Sequence, residues 1–500
     1  MRRIQVEKRP NVTRLVQSQG LVYSFEPSCP LSSSAAAPAP DGEDPYWPDN
    51  RYYSFTSPEI ALLEEAGQDV FAMCCEAADY LVAHPDIVTG QMAIPAFCLQ
   101  QIAASWNRAP AWGSVYGRFD ICFGGLDHPD PRLRTPKFYE FNADTPMSLV
   151  EAATIQWQWL EQTGHGHDQF NSLSERLVAA WRRNLGLIEE NSLDGHKLGV
   201  VHFACSRGEA SGEDAMNTTL LMATCEQAGY RAEPLFMDQI GRSRHDGRFY
   251  DHRGRHLDVV FKLYPWEWMV EQPFGEACFR DMGRNHNPSL LLGPVQDALE
   301  QQGPLRRALA AVPGRPALQV ALTYVFRGGG ARVAHAVCAE TAARAREGAD
   351  VTLHLDGEVL DNTPTGQYGK EGYVVQELAV LPGFRDGLET GLPQTSEEKE
   401  KGEGESEELD APVTTYYPVL GLWFVDGEPA GMGIREDTRR ITANKSWFIP
   451  HSISDGPVTY ERKPIPDAAE IEALLTLENY PTLTSESNGV LGYIEGIVRD

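Results

Sequence analysis

The sequence predicts a mixed α/β (α+β) fold, and three stretches carry this prediction. Apolar residues recur at helical spacing over residues 61–82, which indicates an amphipathic helix. Residues 115–123 and 137–142 alternate apolar and polar side chains on either side of a run of Gly, Asp and Pro, the pattern of a hairpin. Residues 198–203 form an apolar run typical of a buried strand. With 500 residues, 42% hydrophobic and 23% charged, the chain is long enough for two or three lobes around sizeable cores.

The charge balance limits the classes of partner. The formal net charge is -28, with 71 acidic against 43 basic residues. Because binding to a phosphate backbone requires clustered Lys and Arg, this balance argues against a nucleic-acid partner. It is compatible with a cationic substrate such as a polyamine. Part of the charge is local, since residues 388–412 are rich in Glu and poor in apolar side chains, which predicts a disordered insertion between two strands.

Cysteine usage and hydropathy indicate the compartment. Nine cysteines occur without a C-x-x-C pair, which predicts reduced thiols in a cytoplasmic protein. The amino-terminal sequence MRRIQVEKRPNV lacks the apolar core of a secretory signal, and no stretch approaches the ~18 apolar residues of a membrane span. We therefore expect neither secretion nor a membrane partner. Residues 22–45, rich in Ser, Ala and Pro, predict a mobile surface loop to which the sequence assigns no function.

The hairpin over residues 115–142 carries more polar side chains than a fold requires. Side chains two residues apart on a strand share a face, so Arg118 lies with Asp120 and, on the second strand, Glu140 lies with Asn142. Two carboxylates and an amide oxygen suit Mg²⁺ bound to phosphate, and an arginine fork suits a phosphate oxygen. The alternative is a solvated face on which Arg118 simply pairs with Asp120 or Glu140.

Helical patterns follow this hairpin. Thr145 and Pro146 fit a helix N-cap and a first helical position, ahead of an apolar stripe over residues 149–160. A second helical pattern covers residues 173–187. The stripe over 149–160 indicates core packing and not a cofactor site.

A second hairpin is predicted near the carboxyl end of the chain. Residues 416–436 indicate two strands about an Asp426-Gly427 turn, and Asp-Gly is one of the dipeptides that favour tight hairpin turns. The second strand ends on Arg435. Taken alone, an arginine at the end of a strand is most often a surface charge.

Three runs in this order, YGRFD, YEFNADTP and SLVEAATIQWQWLE, resemble the signature of the glutathionylspermidine synthase family of ATP-grasp ligases. The runs DVVFKLYPWEWMVEQPFG and GQYGKEGYVVQELAVLPGF are also similar to that family. The resemblance implies one ligase unit with an ATP-grasp fold and a preceding pre-ATP-grasp-like lobe. In this interpretation residues 1–274 form the amino-terminal part with the hairpin, 275–346 a divergent segment, and 347–500 the carboxyl-terminal part of the ATP-grasp.

The resemblance implies an enzyme, an ATP- and Mg²⁺-dependent carbon–nitrogen ligase of the acid–amine class. Such an enzyme phosphorylates a carboxylate, and an amine then attacks the acyl phosphate to form an amide. The implied partners are a glutathione-like carboxylate and a polyamine-like amine. Nothing that resembles the amidase domain of some family members precedes the ligase, so we expect synthesis without hydrolysis.

The resemblance also assigns roles to single residues. The family's Mg²⁺ ligands fall here on Asp120, Glu140 and Asn142. Its arginines that stabilise the transferring phosphoryl group fall on Arg118 and Arg435. Its nucleotide contacts fall on Arg118, Phe119, Asp120, Gln376, Glu377, Leu378 and Ala379. Its substrate contacts fall on Thr145 and Glu213, although an acidic residue ahead of a helix is also an ordinary partner of the helix dipole.

The resemblance fails between about residues 275 and 346. The family carries two lysines there, in Ser-Asn-Lys and Lys-Pro runs that hold the ATP phosphates, whereas this chain has no lysine between Lys262 and Lys370. Both a gene-model or reading-frame error and a real loss of the lysines stay open. The sequence therefore also admits a catalytically impaired pseudoenzyme of the same fold, or a Mg²⁺-dependent phosphohydrolase.

Overall fold

A computed structural model describes backbone and side chains for residues 1–21, 45–90, 92, 94–107, 115–190, 197–207, 212–281, 379–385, 414–442 and 446–475. It describes the backbone alone for residues 282–284, 290–291, 323–326, 340–345, 352–355, 358–362 and 373–377. The predicted loop at 22–45, apart from Pro45, the predicted insertion at 388–412 and most of the divergent segment 275–346 lie outside the described residues.

Helices and strands alternate along most of the described chain. The strands are β1 (Arg2–Gln5), β2 (Arg51–Phe55), β3 (Tyr116–Cys122), β4 (Lys137–Asn142), β5 (Val201–Cys205), β6 (Ala232–Phe236), β7 (Gly241–Arg242), β8 (Phe249–Tyr250), β9 (Val259–Leu263), β10 (Leu290–Leu291), β11 (Thr323–Phe326), β12 (Glu340–Ala345), β13 (Thr352–Leu355), β14 (Glu358–Asn362), β15 (Tyr373–Glu377), β16 (Phe384–Arg385), β17 (Thr415–Val425), β18 (Glu428–Asp437), β19 (Trp447–Ile449) and β20 (His451–Ile453). The helices are α1 (Val12–Ser18), α2 (Ser57–Ala83), α3 (Pro85–Gly90), α4 (Leu99–Trp106), α5 (Gln156–Thr163), α6 (Leu173–Glu190), α7 (Glu213–Gln227), α8 (Trp266–Glu271), α9 (Gly275–Arg284) and α10 (Ala468–Leu475). A π-helical turn, Glu151–Ile155, runs directly into α5. The predicted mixed α/β class is therefore confirmed.

Helix α2 is the amphipathic helix that the sequence predicts. It begins with a capping box, in which the Glu59 carboxylate accepts the backbone N–H of Thr56 at 2.9 Å. Its buried face, which includes Leu63, belongs to one hydrophobic core with Phe119 of β3 and Leu422 of β17. The helix thus covers one face of the sheet that contains these two strands.

The central antiparallel sheet has the strand order β19-β18-β17-β3-β4, and β16 also pairs with β17. Strands β3 and β4 form the first predicted hairpin, with a bulge that leaves Tyr139 as an extra residue in β4. Strands β17 and β18 form the second, about a turn in which Asp426 and Gly427 have φ of 52° and 83°. Positive φ at both central residues is what a tight type I′ turn requires. Pairing of β17 with β3 joins the two hairpins into one sheet.

A parallel sheet with the order β10-β9-β5-β6 lies beside the central one. Its strand β5 begins at Val201, three residues later than the predicted strand over 198–203. The reason is a tertiary contact, because the backbone N–H of Leu198 donates to the Glu189 carboxylate near the end of α6 at 2.9 Å. Strand β5, helix α7 and strand β6 form a βαβ unit, and β9 pairs on the other side of β5.

The helix after β4 begins at Leu149, so the prediction of an N-cap at Thr145 followed by Pro146 is wrong. Ser148, the residue before this helix, has φ of 72°, in the left-handed region. The backbone N–H of Leu149 donates to Oδ1 of Asn217 in α7 at 3.1 Å. A side chain distant in sequence therefore caps this helix, and local spacing does not reveal such a partner.

A smaller sheet, β1-β2-β20, is tied to the central sheet by a buried charge cluster. Arg3 of β1 and Arg51 of β2 donate to the carboxylate of Glu436 in β18 at 2.8 and 2.9 Å. The Tyr53 hydroxyl donates to the same carboxylate at 2.6 Å, and Glu436 is fully buried. These bonds fix the backbone next to Arg435.

The remaining strands form a five-stranded sheet, β11-β15-β12-β13-β14, and a short pair, β7 with β8. None of the described cysteines forms a disulfide. Within the described residues, no helix is both long enough and apolar enough to cross a membrane.

Candidate functional site

The side chains of the first hairpin that are predicted to contact metal and phosphate lie together on one sheet face. Residues directly opposite one another in an antiparallel pair share a face. Across β3 and β4, Asp120 lies opposite Glu140 and Arg118 lies opposite Asn142. The predicted grouping of these four residues is therefore present in the structure.

Arg435 of the second hairpin reaches the same face. Asp120 lies opposite Gly421 of β17, and Gly421 lies opposite Gly433 of β18. Arg435 follows Gly433 by two residues on β18, so its side chain leaves the sheet on the same side. The two glycines contribute no side chain to this face between Asp120 and Arg435, and the side chains of Arg118 and Phe448 pack over them.

Hydrogen bonds link the four residues of the first hairpin. Nε and Nη2 of Arg118 donate to the two carboxylate oxygens of Asp120 at 2.7 and 3.1 Å. Nδ2 of Asn142 donates to Glu140 at 3.0 Å and to Asp120 at 3.2 Å. The pairing of Arg118 with Asp120 is thus as the alternative interpretation expects. The face is not solvated, however, because these two side chains are only 18% and 14% exposed.

Gly421 allows Arg118 to lie flat on the sheet. A Cβ atom at position 421 would lie 2.7 Å from Cδ of Arg118 and 3.2 Å from its Nε. The guanidinium also lies 5.7 Å from the ring centroid of Trp423, the residue opposite Arg118 on β17. A glycine and an aromatic ring therefore define the path of this arginine.

The charges of the site fit a divalent cation. Burial, reinforced by Glu140 and opposed by Arg118, raises the pKa of Asp120 to about 6. The two carboxylates therefore repel one another, and a hard cation with oxygen ligands would relieve this repulsion. Among the described residues no group of three or more His, Cys, Asp or Glu is arranged to hold a metal. Asn142 would be the third ligand, with its amide turned so that the oxygen faces the ion.

Arg435 is held by contacts from three directions. Its Nε and Nη2 donate to the carbonyl oxygen of Ser446 at 3.1 and 2.8 Å. Its Nη1 donates to the hydroxyl of Ser148 at 3.4 Å, and its guanidinium carbon lies 5.1 Å from the ring centroid of Tyr46. The residue is half-buried, so it is not the solvated surface charge of the alternative interpretation.

Three residues beside the arginines, Tyr46, Ser148 and Glu151, are absent from the sequence prediction. The Tyr46 hydroxyl donates to Oε1 of Glu151 at 2.7 Å and lies 3.3 Å from the Ser148 hydroxyl. Glu151 is fully buried, and its Oε2 has no hydrogen-bond partner among the described residues. A glutamate inside the apolar run SLVEAATI is a signal that could have identified it. Ser148 begins the same run, but no local pattern gives Ser148 or Tyr46 a role in the site.

Burial raises the pKa of Glu151, whereas Tyr46, Arg435 and Arg118 lower it. Its carboxylate therefore lies within electrostatic reach of both arginines. Burial also raises the pKa of Tyr46, with further contributions from Glu151 and Glu213. The carboxylate of Glu213, a predicted substrate residue, thus lies within electrostatic reach of Tyr46.

Glu213 is the first residue of α7, at the carboxyl end of the parallel strand β5. Ligands of α/β sheets commonly bind at this edge, where the strand order reverses. Its carbonyl oxygen accepts Nδ2 of Asn217 at 2.9 Å. Thr145, the other predicted substrate residue, is half-buried in the bend between β4 and Ser148.

The predicted nucleotide residues are described only in part. Gln376 and Glu377 belong to β15, whose backbone alone is described, and Leu378 lies outside the described residues. The carbonyl oxygen of Ala379 accepts the hydroxyl of Tyr139, the bulge residue of β4, at 2.6 Å. Phe119 is fully buried on the opposite face of the sheet, so only its backbone is placed to meet a ligand at the site.

Comparison with known families gives one match that covers most of the chain. A sequence model of the family described as glutathionylspermidine synthase preATP-grasp matches residues 3–394 and 404–454. The match includes the segment 275–346, in which this chain has no lysine.

Several curated proteins are similar to the chain. A putative acid–amine ligase of Haemophilus influenzae is 29% identical over 422 residues, which are 83% of this chain and 92% of that protein. The bifunctional glutathionylspermidine synthetase/amidase of Escherichia coli is 26% identical over 46% of this chain and 33% of its own length. The trypanothione synthetase of Crithidia fasciculata is 22% identical over 71% of this chain and 49% of its own length.

Among solved structures, a glutathione synthetase-like effector from Globodera pallida aligns with 90% of this chain and 100% of its own. The sequence identity is 9% and the TM-score is 0.48, values too low to support a conclusion about the fold.

Proposed function

The chain belongs to the glutathionylspermidine synthase preATP-grasp family, and on this basis we propose that it is an ATP- and Mg²⁺-dependent acid–amine ligase. ATP phosphorylates a substrate carboxylate, and an amine displaces phosphate from the acyl phosphate to form an amide. The acid is glutathione-like and the amine polyamine-like, in line with the names of the relatives. The net charge of -28 suits a cationic amine.

Asp120, Glu140 and Asn142 would hold Mg²⁺, which offsets phosphate charge and aligns the phosphate chain. Arg118 and Arg435 bind the phosphoryl oxygens and stabilise the negative charge of the transition state. Carbonyl oxygens already hold both guanidinium groups, so little reorganisation accompanies the reaction. This chemistry depends on positioning and charge, and it needs no covalent bond to the protein.

The other predicted contacts complete the proposal. The backbone of residues 376–379 would meet the adenine edge, and the hydroxyl of Tyr139 would orient the peptide unit after Ala379. Glu213 supplies a carboxylate for an ammonium group, and Thr145 supplies a hydroxyl for the acid substrate. Glu213 lies within electrostatic reach of Tyr46, which contacts Arg435, and Thr145 lies three residues before Ser148 in the chain.

The main support for the proposal is that residues from two hairpins far apart in sequence converge on one sheet face. Arg118 and Asp120 come from β3, and Arg435 comes from β18. All three are partly shielded from solvent and lie on the sheet face that includes Gly421 and Gly433. Two arginines beside a pair of carboxylates suit a phosphoryl group with its metal ion better than a set of surface ion pairs.

The proposal is tested by ADP formation. The purified chain is incubated with ATP, Mg²⁺, glutathione and a panel of polyamines and amino acids, and the same assay is run with Asp120→Ala and Asp130→Ala. Asp130 lies in the loop of the same hairpin and pairs with the exposed Arg132 at 2.8 Å, so it serves as a matched control. We expect turnover that requires both acid and amine, a loss of at least about a hundredfold in Asp120→Ala, and no change in Asp130→Ala.

Two results would contradict the ligase. ADP formation that needs no amine would indicate a Mg²⁺-dependent phosphohydrolase. Equal activity of Asp120→Ala and Asp130→Ala would show that the sheet face is not the site.

A second candidate function is that of a pseudoenzyme, and one observation favours it. The chain has no lysine between Lys262 and Lys370, where the family carries the lysines that hold the ATP phosphates. A second sequencing of the genomic region that encodes residues 275–346 is the first check. If a version with Ser-Asn-Lys and Lys-Pro runs is active while this chain is silent, the gene model is at fault; silence of both favours the pseudoenzyme.

A further inference from the structure

The two arginines of the site, which come from different hairpins, contact the same short segment of backbone. Nη1 of Arg118 donates to the carbonyl oxygen of Met147 at 2.7 Å. Nη1 of Arg435 donates to the hydroxyl of the next residue, Ser148, at 3.4 Å. Neither Met147 nor Ser148 is itself a predicted ligand of metal, nucleotide or substrate. The position of this dipeptide therefore affects both guanidinium groups at once.

Ser148 has an unfavourable backbone conformation for its residue type. Its φ is 72°, a region that glycine enters freely and that crowds the Cβ atom of other residues. Its side chain is nevertheless used, because Ser148 is only 3% exposed and its hydroxyl lies between Arg435 and Tyr46. Non-glycine residues in this region persist only where the surroundings enforce them, and they cluster at functional sites.

The hydroxyl of Ser148 belongs to a chain of hydrogen bonds that ends on a buried carboxylate. The Tyr46 hydroxyl donates its hydrogen bond to Glu151 at 2.7 Å. The Ser148 hydroxyl therefore donates to the oxygen of Tyr46 and accepts from Arg435. The sequence of donors then runs from Arg435 through Ser148 and Tyr46 to Glu151. Such chains polarise each member and fix its orientation.

The segment itself is anchored from a third element. The backbone N–H of Leu149, directly after Ser148, donates to Oδ1 of Asn217 at 3.1 Å. The other amide atom of Asn217, Nδ2, donates to the carbonyl oxygen of Glu213, the residue that borders the proposed amine site. The position of Met147 and Ser148 is thus coupled to the helix that carries a proposed substrate contact.

We propose that Met147 and Ser148 form a positioning segment that sets the separation and orientation of Arg118 and Arg435. The proposal rests on the proposed function, in which these arginines bind the phosphoryl oxygens. Ser148 acts through Arg435 and touches no reacting atom, so it is a positioning residue. Its strained backbone is retained because glycine would relax the segment and alanine would remove the hydroxyl.

The test compares Ser148→Ala with Ser148→Gly. Alanine keeps the crowded backbone and loses the hydroxyl, whereas glycine loses both. The first readout is the denaturant midpoint of the free protein. The second is the affinity for Mg²⁺ with the β,γ-imido analogue of ATP, measured by calorimetry without turnover. Ser54→Ala is the control, because Ser54 is also a buried serine, and its hydroxyl bonds to Ser454 outside the site.

We expect the two readouts to rank the variants in opposite orders. Ser148→Gly should have a higher midpoint than Ser148→Ala, since glycine relieves the crowding. Affinity for the analogue should fall about tenfold in Ser148→Ala and further in Ser148→Gly, because the relaxed segment also releases the Met147 carbonyl from Arg118. Ser54→Ala should keep the wild-type affinity. The proposal would be overturned if both Ser148 variants kept the wild-type affinity, or if the variant with the higher denaturant midpoint also bound the analogue more tightly.

A mutant cycle separates this proposal from the proposed function. In an Arg435→Ala background, Ser148→Ala should no longer change the affinity, and the two substitutions should be non-additive in the denaturant midpoint of the free protein. If the wild-type chain does not bind the analogue, the proposed function fails, and the midpoint cycle still decides the proposal. Additive midpoints in the free protein would show that Ser148 and Arg435 are not coupled.

Discussion

Replacement of Gly421 by alanine should displace the Arg118 side chain although no charged residue is substituted. The added Cβ would lie 2.7 Å from Cδ of Arg118, whereas carbon atoms in ordinary contact are about 3.5–4.0 Å apart. The arginine must therefore move by roughly 1 Å. Gly421 lies in the middle of β17, with β18 on one side and β3 on the other, so the backbone has little freedom to yield.

The size of the effect follows from the bonds that the movement breaks. Arg118 donates to Asp120 at 2.7 Å and to the carbonyl of Met147 at 2.7 Å, and a shift of about 1 Å takes both bonds beyond hydrogen-bonding distance. Overpacking of this kind costs about 1–3 kcal/mol of unfolding free energy. In the proposed function Arg118 is a catalytic group, and displacement of such a group by about 1 Å lowers the rate roughly a hundredfold. Both effects should appear in Gly421→Ala.

The assay is a denaturant titration together with ADP formation, with Gly241→Ala as the matched control. Gly241 also lies in a strand, and its nearest contact for an added Cβ is the Tyr250 carbonyl oxygen at 3.9 Å, an ordinary distance. In an Arg118→Ala background the crowding has no partner, so Gly421→Ala should then cost little stability. If Gly421→Ala behaves like Gly241→Ala, or if its cost persists without Arg118, the argument from close packing is refuted.

Two further predictions concern stability. Lys262→Ala should lower the unfolding free energy by about 3–5 kcal/mol, because it leaves the Asp144 carboxylate buried and without the ammonium group now 2.6 Å away. The control is Lys197→Ala, because the exposed ammonium group of Lys197 pairs with Glu189, and this substitution should lower the unfolding free energy by less than about 1 kcal/mol. Denaturant titration measures both variants, and equal losses in Lys262→Ala and Lys197→Ala would contradict the prediction. Burial lowers the pKa of His451 to about 3, so the folded state stays neutral while the unfolded state takes up a proton below about pH 6.5. As the pH drops from about 6.5 towards 3, the unfolding free energy of the wild type should therefore fall relative to that of His451→Gln, by up to about 1.4 kcal/mol per pH unit. Parallel curves of unfolding free energy against pH for the two proteins would refute this.

The parts of the site that the sequence predicts are those set by local rules. The period of two residues along a strand places Arg118 with Asp120 and Glu140 with Asn142, and turn residues identify the hairpin that brings the pairs together. The position of Arg435 beside them depends on the register of β17 against β3, which are far apart in sequence. Only the family resemblance, and no local pattern, connects Arg435 with the first hairpin.

The parts that the sequence does not predict depend on tertiary partners. Thr145 and Pro146 have the local pattern of a helix start, yet the helix begins at Leu149, because Asn217 of another helix caps it. The left-handed conformation of Ser148 likewise has no sequence signal, since serine carries no preference for it. Tyr46 lies outside every predicted element and joins the site through its hydroxyl and through its ring, which lies beside the guanidinium of Arg435.

The pairing of β17 with β3 also has a consequence for biosynthesis. About 300 residues separate these strands, so at a translation rate of 5–20 residues per second roughly 15–60 seconds pass between their emergence from the ribosome. During this time β4 can cover one edge of β3, while its other edge has no native partner and is a template for intermolecular pairing. The nascent chain is therefore open to aggregation during this interval, and the sheet face that carries Arg118, Asp120 and Arg435 is among the last features of the protein to form.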